Sequence, residues 1–509
     1  MLKGLLAPRS SDTDPWLMPI MHASRRALHG DSRRWLYPKR TIWVDTTSGS
    51  DTSGDGSYDK PLQSLEPVLD DDVIECVCRH LCVDKVTVRV KGDISASIRQ
   101  SAGGDLGSEL VVIDGRRRDY RRRLVIRPWE DGERLRVMAE VEIYINVADG
   151  RRVDVTTKVA EVQNLFGVKW INADFHTRLR IYCNREPEKL LITTLADIIG
   201  LTNCPDSILM NCRFTSDALV DVLWRDPAKE QEPVYPEPQD PVEGGTPVEG
   251  GTPGDGGSYN WPDWPPAWDG WGGSGGGYGW PGGGGGGGGG DDERIRGFIN
   301  AYCRVIAALG CPRTIARGGH IDIGASAYSN TGAQAECYGF LNCPGLDVLG
   351  LPIDVDAYAE VKGGGAPYSN ESGSGIAKYS LEGLAFAGAV QGCGGSRLMD
   401  MRLAASAKAL CQGSNTPHHT SPEGDTKTYA VGGQAAAAGH GLALSNRCEL
   451  HKIKSAAVAE AVHPEYWEAF SCAGYRNPDT AYEDCTASQG GCAGSSPGGC
   501  EGLSCDAFG

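Results

Sequence analysis

The chain has 509 residues, a formal net charge of −17 and 40% hydrophobic residues. That is enough for one large core or several domains, and the acidic balance argues against nucleic-acid binding by the chain as a whole. No run approaches the roughly 18 consecutive apolar residues of a membrane span, so no membrane contact is expected.

Residues 1–40 have no clear period and are rich in Arg, Pro and Trp. They read as an extension that anchors the chain to another protein, or as a disordered tail. The opening MLKGLLAPRSSDTDPW has one Lys and too short an apolar stretch for a signal peptide. Yet there are 18 cysteines, a load natural in an oxidising setting. Together these predict a protein made in a host cytoplasm and released by lysis, as virion components are. Reduced thiols buried in a core are the alternative.

The stretch VDTTSGSDTSGDGSYDKP (44–61) follows. Asp51, Ser53, Asp55, Gly56 and Asp59 match positions 1, 3, 5, 6 and 9 of an EF-hand-like loop. Leu62 stands where a bidentate Glu should close the shell, and a strand rather than a helix precedes it. A structural turn is preferred, with aspartates and hydroxyls satisfying backbone donors; calcium at Asp51, Asp55 and Asp59 is the lesser option. In CVCRHLC, residues Cys76, Cys78, His80 and Cys82 lie close together without the C-x2-C knuckle of zinc sites.

Residues 41–225 read as short β-branched runs broken by turn residues: KVTVRVKG, ELVVIDG, RLVIRPW, VEIYINV, KLLITTL and DSILMNCRF. Among them lies a basic cluster, Arg116, Arg117, Arg118, Arg121, Arg122 and Arg123 around Tyr120. It reads as an intersubunit contact, for instance with the acidic 226–255 segment of a neighbour, or as a solvated turn.

Residues 226–293 interrupt the pattern, first acidic and Pro-rich, then with PVEGGT in tandem, five tryptophans and nine glycines in a row. A plain tether would not need Trp261, Trp264, Trp268, Trp271 and Trp280, so this is expected to be a loop laid on its own or a neighbouring subunit. Strand-like runs resume over 294–470: GFINAYCRVIAALG, HIDIGAS, LDVLG, IDVDAYAEV, LEGLAFAGAV, RLMDMRLAAS and GLALSNRCELHKI. The flanks are alike in kind, which marks the block as an insertion within one architecture. Residues 471–509 form a Cys/Gly-rich cap or tail, in which Cys485, Cys492, Cys500 and Cys505 suit disulfides better than zinc.

A loose repeat links the flanks: Cys204-Pro205, Cys311-Pro312 and Cys343-Pro344, with Cys393 and Cys448 as degenerate copies. Strand, turn and strand repeated with loops of varied length is the pattern of a β-solenoid. Cysteines at one corner of successive coils would lie near disulfide spacing; stacked reduced thiols are the alternative.

TIWVDTTSGSDTSGDGSYDKPLQSLEPVL resembles the opening segment of right-handed parallel β-helix proteins of the pectate-lyase-like type, found in phage tail spikes and bacterial surface proteins. LVIRPWEDGERLRV resembles an early coil of polysaccharide-lyase relatives. The resemblance covers residues 41–140 by motif. It implies an all-β, right-handed parallel β-helix with long extruded loops, and a capping segment from Pro61 over its open end.

Carbohydrate-cleaving β-helices use outward carboxylates. In PIDVDAYAEVK, period 2 places Asp354, Asp356, Tyr358, Glu360 and Lys362 on one face. Asp354 and Asp356 would stand roughly 6.6 Å apart, at the lower edge of the inverting acid/base range; a solvent-facing strand shows the same alternation. His320 with Asp322, and His418 with His419 as a metal site on a trimer axis, are weaker candidates. No complete lyase signature and no nucleophile elbow is present, and no cofactor is implied.

The sequence therefore predicts a structural virion protein of a bacteriophage. It would be a spike, fibre or decoration at tail or neck, homotrimeric, bound to other virion proteins through residues 1–40, with a host-surface glycan as a further candidate contact. A polysaccharide depolymerase on the same fold is the alternative, and a bacterial surface adhesin a third.

Overall fold

The computed structural model describes residues 41–69, 85–120, 123–146, 152–183, 191–222, 299–329, 332–363, 380–413, 432–443, 445, 447–462, 467–472, 481–483 and 486–489. By internal contact the chain divides into Met1–Trp224 with Arg294–Gly509, and Arg225–Glu293; every described residue belongs to the first unit.

The first strand, β1 (Thr41–Asp45), leads through the Asp/Gly stretch to the single-turn helix α1 (Glu66–Leu69). Here the aspartates serve the backbone. Asp45 Oδ1 accepts from the amides of Thr47 and Ser48 at 3.0 and 2.9 Å. Asp51 Oδ1 reaches across the loop to accept from Gln63 and Ser64 at 2.8 and 3.0 Å, and Asp55 caps Ser57 at 2.8 Å. The loop also bonds to the edge of β1: the amides of Trp43 and Asp45 donate to Gly56 and Leu62, and that of Leu62 to Trp43. An open strand edge is thereby covered. Leu62, Leu65, Val68 and Leu69 are buried, so the segment after Pro61 packs into the core.

The remaining strands are β2 (Val86–Lys91), β3 (Ile94–Ala102), β4 (Leu106–Asp119), β5 (Leu124–Pro128), β6 (Leu135–Ile145), β7 (Arg152–Phe166), β8 (Lys169–Ile171), β9 (Ala173–Cys183), β10 (Leu191–Thr202), β11 (Ile208–Asp221) and β12 (Ile299–Leu309). Then come β13 (Ile315–Ser329), β14 (Gly332–Leu341), β15 (Asp347–Leu349), β16 (Ile353–Gly363), β17 (Ser380–Gln391), β18 (Arg397–Gly413), β19 (Gly432–Ala443), β20 (Glu449–Val462), β21 (Trp467–Cys472), β22 (Ala481–Glu483) and β23 (Thr486–Gln489). The expected runs all fall on or against these strands. Among the longer strands, the sequence reading missed β3, β7, β9 and β14, whose apolar residues alternate with polar ones instead of forming runs.

The strands form two parallel sheets. One runs β21-β19-β17-β14-β12-β10-β7-β4; the other runs β1-β2-β5-β8-β11-β13-β15-β18-β20-β22, with β3, β6, β9, β16 and β23 beside it. From β10 onward the chain alternates between the sheets. Between β10 and β20 each passage from the first sheet to the second takes five residues: 203–207, 310–314, 342–346, 392–396 and 444–448. The return passages differ widely, from two residues (330–331) to 77 (222–298). Over this span the length variation therefore falls in the return passages.

Left-handed residues make the fixed corners. Asn203, Gly310, Asn342 and Gly392 occupy one position with φ of 51°, 60°, 53° and 66°. Three residues on, Asp206, Arg313, Gly345 and Gly395 repeat the conformation. A third row, Asn172, Asn211, Gly318, Gly350, Asp400 and Lys452, bends the second sheet. Asn and Gly suit these φ values. At Gly319 (φ 94°) a Cβ would lie 1.8 Å from the Cys212 carbonyl oxygen, so only glycine fits. The bend at Gly350 separates β15 from β16; both lie between β13 and β18, so the four close a small ring of pairings.

The core lies between the sheets, filled by alternate residues of each strand. Near β8–β11 it holds Trp170, Phe175 and Phe214, the two phenylalanine rings stacked at 4.6 Å. Toward β20 it is lined by Ala357, Ala359, Ala385, Ala387, Ala405, Ala407 and Ala437. There a Cβ on Gly439 would stand 2.6 Å from the Val458 carbonyl oxygen of the facing sheet, so the sheets approach closely.

Candidate functional site

Strand β16 sets the outer face that carries the predicted carboxylates. Val355, Ala357, Ala359 and Val361 are buried; Asp354, Asp356 and Tyr358 face out, as period 2 requires. Glu360 departs from that pattern, being buried while accepting from the Tyr358 hydroxyl at 3.1 Å. The side chain of Lys362 lies outside the described residues.

Asp354 and Asp356 share a face but not an environment. Arg402 of the next strand donates to both Asp354 oxygens at 2.8 and 2.9 Å. Crowding by neighbouring atoms pushes the Asp356 carboxyl above its usual range, with a hydrogen bond from Ser406 opposing and the Asp322 charge adding to the rise. The register supplies a different partner. Asp217 of β11, Gly324 of β13 and Asp356 of β16 form one row across three strands. Asp217 is bound by Arg180. Over Gly324 the space is open, the nearest neighbour to a Cβ there being the Asp356 carbonyl oxygen at 3.9 Å. Two strand spacings put the Asp217 and Asp356 backbones about 9.6 Å apart. Tyr328 and Tyr358, with ring centroids 5.5 Å apart, stand beside this row. His320 and Asp322 lie 3.8 Å apart on the same sheet, both exposed.

The other sheet carries a row that the sequence reading missed: Glu109, Lys158, Asp197, Arg304 and Glu336 on successive strands β4, β7, β10, β12 and β14. Arg304 Nε and Nη2 donate to the two Asp197 oxygens at 2.7 and 2.6 Å, with both side chains largely buried. Burial works against the Arg304 charge and Asp197 overcomes it, so the guanidinium stays protonated. Burial pushes Glu336 up, against the Arg304 charge and hydrogen bonds from Gln334 and Tyr302. Opposite charges alternating across strands are a stabilising ladder. The only trace of it in sequence is the polar half of each alternation.

A thiol column runs through the fixed corners. The amide of Cys204 lies 3.3 Å from Cys311 Sγ, that of Cys311 3.3 Å from Cys343 Sγ, and that of Cys343 3.4 Å from Cys393 Sγ. Next comes Ser445, whose Oγ accepts from the Cys393 amide at 3.0 Å. The expected placement of Cys448 in this column is thus corrected. The register pairs Arg397 with Glu449, which sets Cys448 level with Ser396, three residues past the column. The cysteines whose side chains are described are free, among them Cys204, Cys311, Cys343, Cys393 and Cys448.

Of the calcium candidates, Asp51 and Asp55 accept from backbone amides, and no group of three or more metal-ligating side chains is assembled among the described residues. A ring cluster braces the same loop instead: Trp43, Tyr58 and Trp129 meet at centroid distances of 4.5–5.3 Å, with Arg89 over Trp43 and Lys91 over Trp129. In the basic cluster, the Tyr120 hydroxyl donates to the Leu69 carbonyl at 3.2 Å and Arg123 is half-buried. The side chains of Arg116, Arg117, Arg118, Arg121 and Arg122 lie outside the described residues. So do residues 1–40, Cys76, Cys78, His80, Cys82, the five insertion tryptophans, His418, His419, and Cys485, Cys492, Cys500 and Cys505, whereas Asp59 is an exposed turn residue. Compared with protein-family models, with curated proteins and with solved structures, the chain matches none.

Proposed function

We propose that the chain is a right-handed parallel β-helix serving as a structural component of a bacteriophage particle: a trimeric spike, fibre or decoration held through residues 1–40. The observation that carries this reading is the contrast between the two kinds of corner. Between β10 and β20 one is fixed at five residues and stacked position by position, while the other varies widely in length. Such a chain is a regular scaffold that carries loops on one side. A strand–connection–parallel-strand path strongly favours the right hand, and the Asp-capped turn over β1 supports the resemblance to β-helix opening segments. The test is gradient purification of particles followed by mass spectrometry. The chain should sediment with intact particles, in copies that are a multiple of three. Recovery only in the soluble lysate, or a stable monomer by light scattering, would overturn it.

A second reading, glycan cleavage from the same scaffold, is favoured by one arrangement. Asp356, with its raised pKa, and Asp217, paired to Arg180, flank open space at Gly324 with two tyrosines beside it. Carboxyls whose environments differ in this way suit acid and base roles. Incubation with host capsule or lipopolysaccharide decides it: new reducing ends or unsaturated sugars, lost in Asp356→Asn and Asp217→Asn but retained in Asp354→Asn, would establish it.

A further inference from the structure

We propose that the thiol column is a modification site at which oxidation closes two disulfides, Cys204–Cys311 and Cys343–Cys393. The inference stands on the corners alone and does not depend on the virion reading. Four successive corners place a cysteine at the same position, and the amides of the first three lie 3.3–3.4 Å from the next sulfur. Neighbouring strands lie 4.7–4.9 Å apart, inside the Cα range of a disulfide, and the Cβ atoms need approach by less than about 1 Å to reach bonding geometry.

The column is bounded. Ser445 ends it on one side, and the corner between Phe166 and Lys169 has no cysteine on the other. Only the pairing 204–311 with 343–393 uses all four sulfurs; a 311–343 bond strands Cys204 and Cys393. Cys448 lies off the column, its Sγ 3.5 Å from the Cys393 carbonyl oxygen.

The oxidant is a small disulfide such as oxidised glutathione. For each bond, one thiolate attacks it, forming a mixed disulfide and releasing one reduced thiol. The second cysteine then displaces the other half, so two protein thiols become one disulfide and the oxidant leaves as two thiols. All four cysteines are buried once the corners have formed. The exchange therefore belongs to the folding chain, while the sulfurs still meet solvent. Ser445 already occupies a column position, so Cys→Ser is a substitution these corners accept.

The test refolds the full chain with oxidised and reduced glutathione, blocks remaining thiols under denaturing conditions and maps peptides without reduction. Two crosslinked peptide pairs, Cys204–Cys311 and Cys343–Cys393, are expected, with Cys212, Cys303 and Cys337 alkylated. Cys311→Ser should lose the first pair, leave Cys204 alkylated and keep the second. Folded protein with all four column cysteines alkylated, or with bonds joining them to cysteines elsewhere, overturns the proposal. If Cys311→Ser does not fold, the wild-type map decides alone.

Discussion

At the fixed corners a single torsion decides which residues the chain accepts. Asn203 combines a φ of 51° with a hydrogen bond from its amide nitrogen to Asn164 Oδ1 at 2.8 Å. Asn203→Ala loses the bond and strains the backbone, and should cost about 1–2 kcal/mol; Asn203→Gly, which relieves the strain, should cost less. Chemical denaturation measures both. Glu161 poses a different problem. It faces the core, accepts from Thr177, and burial pushes its pKa up to about 8. The free carboxyl ionises near 4.5, so between those values the unfolded chain gives up a proton that the folded chain keeps. Stability is therefore full below about pH 4.5 and falls as the pH rises toward 8, by an amount on the order of a few kcal/mol. Melting curves from pH 5 to 8.5 should show that loss, and Glu161→Gln should flatten it and melt higher at pH 8. Neither residue announces its role in sequence: Asn203 precedes a Cys-Pro pair and suggests a turn, and Glu161 lies in β7, a strand with no apolar run to mark it.

Among the elements, β12 and β14 show how one strand serves two purposes. Their inward residues fill the space between the sheets, and their outward residues form the charged row. Removing one partner of the Arg304–Asp197 pair leaves a buried charge, so Asp197→Ala should cost about 3–5 kcal/mol, while Asp197→Leu with Arg304→Met should cost much less. A double-mutant cycle in urea separates these outcomes. At the alanine-lined end the limit is space. Ala407 is buried and the sheets nearly touch at Gly439, so Ala407→Leu should destabilise by about 1–3 kcal/mol or more, read as a lower melting temperature. The apolar runs made β10, β11 and β16 legible. Strand β9, ADFHTRLRIYC, was not, because its inward Phe175, Leu179 and Ile181 are separated by His176, Arg178 and Arg180. The row Asp217–Gly324–Asp356 could not be seen in one strand, because register between strands is set by corners far apart in sequence.

For the whole molecule, the repeat Cys204, Cys311 and Cys343 already pointed to stacked corners, and the structure adds why the spacing is irregular. Variable return passages separate corners that are themselves constant in length. Cys448 misled because it lies in a true corner, but three residues past the position that Ser445 fills. The Asp-rich stretch reads as a turn in which aspartates hold backbone donors, and Asp51 and Asp55 accept from backbone amides in and beside it. The central claim is the in-register parallel stack, since scaffold, thiol column and carboxylate row all depend on it. Cryo-electron microscopy of the purified full chain tests it directly. The account expects two parallel sheets with strands about 4.8 Å apart, and Asn203, Gly310, Asn342 and Gly392 in a single column. Antiparallel pairing, or those four residues scattered over different corners, would contradict it.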